Sequence, residues 1–143
     1  METKSVFIDA NIFIDVNDKS RVSYESCYIL IPSLIGRGIK LYTSCDLITT
    51  IYYVLLKQGR QIALDSVENI NKICKIIDFS NTEVSQTCQL MRENKKFKDL
   101  EDTLQYVLAK NTKCDLIISN DKNFYAEDME LLNSDEAVNK FKI

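Results

Sequence analysis

Short apolar runs alternate along the chain with longer stretches in which apolar residues recur every three or four positions. The first run, Ser5 to Ile8, lacks the strict alternation of a half-exposed strand and reads as a short, fully buried one. It ends at Asp9, after which Ala10-Asn11-Ile12-Phe13-Ile14-Asp15 turns into helix. Between residues 22 and 36, Val22, Tyr28, Ile29, Ile31, Leu34 and Ile35 form a helical stripe that stops at Gly36 or Gly38. Pro32 inside it predicts a kink or a boundary. Ile39 to Thr43 is a second strand. Ser44 then stands as an N-cap to a helix that presents Leu47, Ile48, Ile51, Tyr52, Leu55 and Leu56 on one face and ends near Gly59. Residues 61 to 73 repeat the pattern through Ile62, Leu64, Val67, Ile70 and Ile73. Lys75 to Phe79 is a third strand, and Ser80 or Thr82 opens a helix reaching about Arg92. Leu100 to Ala109 is helical with Leu104, Val107 and Leu108 inward. Leu116 to Ser119 and Met129 to Leu132 are the fourth and fifth strands, and Ser134 with Glu136 and Ala137 opens a last helix.

Buried strands alternating with longer helices predict an α/β fold: a three-layer α/β/α sandwich around a mainly parallel sheet of about five strands. In such sheets ligands bind beyond the carboxyl ends of the strands. Asp9 lies just past the first strand and Asp121 just past the fourth, so two acids distant in the chain are expected at one edge.

Composition narrows the chemistry. A chain of 143 residues with 3 Gly, 1 Pro and no linker-like stretch reads as one domain, 1–143. It carries no run of about 18 apolar residues, so no membrane span is expected. The apolar stretch at the N-terminus is short and has Asp9 inside it, unlike a signal peptide, so the protein is expected in the cytoplasm. Its five cysteines, Cys27, Cys45, Cys74, Cys88 and Cys114, form no C-x-x-C pair and read as small buried hydrophobes in a reducing compartment. Histidine is absent, which removes Ser-His-Asp and Cys-His catalysis, His-ligated zinc and histidine bases. The net charge of −3 gives no bulk attraction to nucleic acid, so an RNA partner requires a local basic patch.

Two or three carboxylates gathered at one sheet edge repel, and at least one pKa rises. A divalent cation relieves the conflict. Mg²⁺ and Mn²⁺ prefer oxygen ligands, and a metal-bound water is acidic enough to attack phosphorus. Without histidine this is the most economical route to phosphodiester hydrolysis. The competing reading takes Asp9, Asp102 and Asp121 as separate N-caps or solvated acids, and spacing alone does not separate the two.

Three segments carry a resemblance. Phe7-Ile8-Asp9-Ala10-Asn11-Ile12-Phe13-Ile14-Asp15 resembles the opening strand and helix of PIN domains. Leu100-Glu101-Asp102-Thr103-Leu104-Gln105-Tyr106-Val107-Leu108-Ala109 resembles their helix with a further metal-facing acid. Cys114-Asp115-Leu116-Ile117-Ile118-Ser119-Asn120-Asp121-Lys122-Asn123-Phe124 resembles their final strand and loop, and the tail from Leu131 to Glu136 is similar to their last strand and helix. The match runs in order over nearly the whole chain. It implies a VapC-like metal-dependent ribonuclease of the PIN-domain family, with Asp9, Asp102 and Asp121 as catalytic, metal-facing acids around Mg²⁺ or Mn²⁺. Asn11 would support Asp9, and Ser119 or Asn120 would orient the last loop. Adjacent helix residues point about 100° apart, so of Glu101 and Asp102 only one faces a metal squarely, and Asp102 is preferred. Asp15 reads as a cap or surface acid.

The chain also departs from the pattern. Family members carry a glutamate about six residues beyond a serine in the helix after the second strand, and counting from Ser44 that place holds Thr50. Asp46, one turn earlier on the same face, is a candidate substitute ligand. Asn123 stands where many members have aspartate. These departures support an alternative: a weakened PIN-fold module that binds RNA or protein without cutting. A phosphatase or receiver-like reading with Asp9 as nucleophile is disfavoured, because Asn11 occupies the place of the second aspartate that pattern needs.

The densest basic segment, Arg92 to Lys98, precedes the Asp102 helix. Lys95, Lys96 and Lys98 are candidates to hold RNA phosphates, with Phe97 to stack a base, against the plainer reading of a solvated loop. The resemblance further implies a toxin silenced by a cognate antitoxin, and a homodimer. The amphipathic helices at 47–56 and 62–73 are candidate surfaces for such a partner.

Overall fold

The computed structural model describes residues 2–143. Strands β1 (Ser5–Ile8), β2 (Lys40–Ser44), β3 (Cys74–Ile77), β4 (Leu116–Ile118) and β5 (Glu130–Leu132) form one sheet in the order β3-β2-β1-β4-β5, every pair parallel. Val6, Phe7 and Ile8 of β1 and Leu116, Ile117 and Ile118 of β4 are fully buried, as strands covered on both faces must be. The helices are α1 (Ala10–Asp15), α2 (Tyr24–Gly36), α3 (Cys45–Leu55), α4 (Arg60–Ile73), α5 (Asn81–Glu93), α6 (Leu100–Asn111) and α7 (Ser134–Phe141). Helix α1 packs on α2 and α3, α3 on α4, α7 rests on α2, and α5 pairs with α6, which lies over β2 and β4. The chain runs from β1 out to β2 and β3 and then crosses back to β4, and since parallel crossovers are right-handed as a rule, the reversal puts these two groups on opposite faces. Among the described residues no helix is long and apolar enough to cross a membrane.

The predicted elements are all present, with ends displaced by a residue or two. Two readings of α2 need correction. The helix is uninterrupted through Pro32. Pro32 and Tyr28 both lie on the solvent side, where water can meet the carbonyl that proline leaves without a donor. The buried face also shares only Ile31 and Leu34 with the predicted stripe. Cys27, Leu30, Ile31 and Leu34 point inward, whereas Val22, Tyr28, Ile29 and Ile35 are exposed. In α4, Ala63, Ser66 and Ile70 are buried and Ile62 is exposed. Two cysteines, Cys45 and Cys88, are exposed, against the expectation of buried thiols. Burial pushes the Cys27 thiol up to about 11 and those of Cys74 and Cys114 to about 12, so these three stay protonated.

The order of strands reverses at β1, whose neighbours β2 and β4 lead away in opposite directions. Their carboxyl ends therefore open a crevice at β1. Asp9, Ser44 and Ser119 each directly follow, or end, one of these three strands.

Candidate active site at the carboxyl edge of the sheet

Asp9 is the N-cap of α1 and only 4% exposed. Its Oδ1 accepts the backbone N–H of Ala10 at 2.8 Å, while Oδ2 accepts Asn11 Nδ2 at 3.1 Å and Ser119 Oγ at 2.7 Å. Capping and site membership are thus not alternatives here, since each oxygen serves one of them. Burial raises the Asp9 carboxyl, the donors from Ser119, Ala10 and Asn11 oppose that rise, and the charge of Asp121 adds to it.

The remaining polar groups brace this acid. Asn11 Oδ1 accepts the Asn120 N–H at 2.8 Å, which ties the loop after β4 to the start of α1, and Ser119 Oγ accepts the Asp121 N–H at 3.2 Å within that loop. Asn120 extends the network outward. Its Nδ2 donates to Asp15 Oδ2 at 3.1 Å, and its Oδ1 accepts the Ser134 N–H at the start of α7 at 2.9 Å. Asp15, expected as a cap or surface acid, is instead 7% exposed, and Arg21 stands 3.9 Å away. An inward carboxylate at the end of α1 is tolerated because both an amide and a guanidinium meet it.

Asp102 lies in the first turn of α6, its backbone N–H donating to the N-cap Asp99 at 2.9 Å. No donor among the described residues reaches its own carboxylate. Burial first, then the charges of Asp9, Asp121 and Asp99 and the closeness of the Asp121 carboxyl, together push this carboxyl up to about 8. Glu101 is also drawn upward, by burial and by Asp46, Asp9 and Asp99. Both acids sense Asp9, and Glu101 also senses Asp46.

Asp46 is fastened rather than free. Gln105, fully buried on α6, donates Nε2 to both Asp46 oxygens, at 3.2 and 3.0 Å. The Ser44 hydroxyl sits within reach of the Asp46 carboxylate and 2.5 Å from Gln105 Oε1. Ser44 holds the N-cap position of α3, but its side chain does not cap. Thr50 is partly buried farther along α3. Gln105 escaped the sequence reading because a glutamine in an apolar helix carries no motif; only its position one turn beyond Glu101 pointed toward the site.

The donor set suits a hard divalent cation: oxygens only, at least two carboxylates facing each other without a counter-charge. Among the described residues no three acids or thiols stand close enough to enclose an ion as they lie.

An open cleft of about 870 Å³ adjoins these acids, lined by Lys96, Lys98, Asp102, Asp121, Lys122 and Tyr125, among others. Lys95 is not among its lining residues, and Lys122, which the sequence reading did not select, is. Phe97 cannot stack a base. It is 3% exposed and packs on Tyr106 and Tyr125, with ring centroids 5.1 and 4.7 Å apart.

Comparison with known proteins adds a separate line of evidence. A family model described as PIN domain matches residues 5–123. Over 136 residues the chain is 46% identical to a protein named Ribonuclease VapC1 from Aquifex aeolicus, covering 95% of this chain and 94% of that one. The fold is similar to VapC20 of Mycobacterium tuberculosis, described as a sarcin-ricin loop cleaving toxin (TM-score 0.70, 12% identity, 83% of this chain and 92% of that one). It is similar also to VapBC2 of Rickettsia felis bound to a promoter DNA fragment (0.70, 16%, 90% and 98%) and to FitAcB of Neisseria gonorrhoeae (0.67, 17%, 90% and 97%).

Proposed function

Because the chain belongs to the PIN-domain family, we propose that it is a metal-dependent endoribonuclease with Asp9, Asp102 and Asp121 as its catalytic acids, and the toxin of a toxin–antitoxin pair. The observation that carries the site is Asp102: a partly buried carboxyl raised to about 8 by the acids around it, with no protein donor to answer them. Such repulsion is retained where a cation resolves it. Bound there, Mg²⁺ or Mn²⁺ would supply an acidified water and a counter-charge for the phosphoryl oxygens.

The chain's own groups divide the work. Asp9, held by three donors, is the rigid ligand. Asn11 and Ser119 fix its orientation, and Asn120 holds their loop against α1 and α7. Asp102 and Asp121 would hold the ion together with Asp9. Glu101 extends the acidic rim toward Asp46. Lys96 and Lys98 face the cleft where a phosphate strand would lie.

The relative's name supports RNA as substrate, and the toxin described among the solved structures supports an antitoxin as partner. A groove of about 460 Å³ between α1, α2 and α4, lined in part by Phe13, Val16, Tyr28, Ile31, Ile62 and Ile70, is the apolar surface suited to an antitoxin segment. It takes in part of the 62–73 helix and none of 47–56.

Incubating the protein with labelled RNA and Mn²⁺ beside Asp9→Asn tests the reading. Cleavage by the native chain alone supports it, and equal cleavage by both dismisses this site. A second reading, a module that binds without cutting, has specific support in Thr50 and in the engagement of both Asp46 oxygens by Gln105. It predicts RNA binding with no cleavage at any metal concentration.

A further inference from the structure

The lysines beside the acids are arranged in a way the sequence does not show. Lys96 and Lys98 leave the loop between α5 and α6, and Lys122 leaves the loop after β4, yet all three line one cleft with Asp102 and Asp121. Phe97, between the first two, is buried against Tyr125, which follows Lys122 by three residues. The same two segments are joined again at Asn94. Its Oδ1 accepts the Lys96 N–H at 3.0 Å and its Nδ2 donates to Glu127 at 3.1 Å. Both lysine-bearing loops are therefore pinned together before any ligand arrives.

These cations do not answer the neighbouring acids. Among the described residues the ion pairs join Arg21 to Asp15 and Asp18, Lys110 to Asp128, and Lys140 to Glu130. None uses a cleft lysine, and no lysine is among the main influences on Asp102. Three exposed, unpaired ammonium groups on a pinned frame, beside a partly buried aromatic ring, suit a flexible anion with planar bases. We propose that Lys96, Lys98 and Lys122, and not Lys95, grip consecutive phosphates of single-stranded RNA, with Tyr125 offering a stacking surface. This rests on the ribonuclease reading for the identity of the strand.

The test is binding of a fluorescent single-stranded RNA in EDTA, where metal-dependent cleavage is silent, across a salt series. Each phosphate contact to a single strand contributes a slope of roughly −0.7 in log K against log salt, so the Lys96→Gln/Lys98→Gln/Lys122→Gln protein should lose a slope of about 2. Lys95→Gln should keep the native slope, and both variants should keep the native melting temperature. An unchanged slope in the triple variant, an equal loss in Lys95→Gln, equal affinity for a duplex of the same sequence, or no RNA binding by the native chain overturns the proposal. Should the slope fall as expected while the native protein cleaves no RNA with Mn²⁺, the grip stands and the hydrolytic reading falls.

Discussion

Asp9 and Asp102 meet at the same sheet edge, and the fold treats them oppositely. Asp9 sits 4% exposed, with one oxygen capping α1 and the other held by Asn11 and Ser119. Asp102 is more open, yet no donor among the described residues reaches its carboxylate, and burial with the charges of Asp9, Asp121 and Asp99 pushes it up to about 8. Burial is the largest cause that raises the carboxyl at both positions. Donors separate the two: three hydrogen bonds oppose the rise at Asp9, whereas Asp102 faces like charges with none to oppose it. In the proposed reading one acid serves as a frame, and at the other a cation would relieve the charge.

The sharpest way to break this contrast is to remove the frame. Asp9→Asn should lower RNA cleavage by more than about 100-fold, since even outer partners of metal ligands are worth about 10–100-fold. Cleavage rates at saturating Mn²⁺ give the answer, and a loss under tenfold would deny Asp9 its role. Asn11→Ala and Ser119→Ala touch Asp9 without replacing it and should each weaken Mn²⁺ affinity by about 10–100-fold. Calorimetric titration measures this, and native affinity in both would mean that Asp9 needs no bracing.

The other half of the contrast is read by pH. Because the fold raises the Asp102 carboxyl, it favours the protonated form. The stability this contributes is complete below the ordinary value of 3.8 and is lost as pH rises through about 8. Asp9, raised in the same direction, adds to the trend. The metal-free protein should therefore melt at progressively lower temperature as pH climbs through that window. Asp102→Asn should flatten the profile and be the more stable protein at its alkaline end, and Mg²⁺ or Mn²⁺ should restore the native chain there but not the variant. A native profile as flat as the variant's contradicts the picture.

Smaller effects test the Asp46 side. Gln105→Leu removes both of its bonds to Asp46 and leaves Ser44 and Asp46 only each other, at a cost of about 1–3 kcal/mol in chemical denaturation. Asp46→Asn keeps a partner for Gln105 and should change Mn²⁺ affinity by less than about tenfold, below the range of even indirect partners. A larger loss would make Asp46 a ligand in place of the acid missing at Thr50.

Much of this arrangement was legible in the chain. The uniformly apolar runs at Val6 to Ile8 and Leu116 to Ile118 announced central strands, and acids placed just past them had to share an edge. Asn11, Ser119 and Asn120 were selected as supports, and each has a hydrogen-bonded place in the network around Asp9. The failures share a cause. Helix α2 has apolar residues on two faces, and periodicity cannot say which meets the core. Phe97 looked available because it sits among lysines. Asp15 looked like a surface acid because its partners, Asn120 and Arg21, are not its sequence neighbours. Gln105 and Lys122 carried no signal of their own.

The linear order of apolar and polar residues determined which segments are strands, that they run parallel, and where along the chain acids terminate them, because backbone hydrogen bonding and burial act on local pattern. Only packing in three dimensions decided which donors each acid receives. Asp9 obtained three, Asp102 none, Asp46 a glutamine from another helix, and two lysine loops were brought to one cleft through Phe97 and Tyr125. Hydrogen bonds and charges act over a few ångströms between side chains that the sequence holds far apart, so their balance exists only once the sheet has formed.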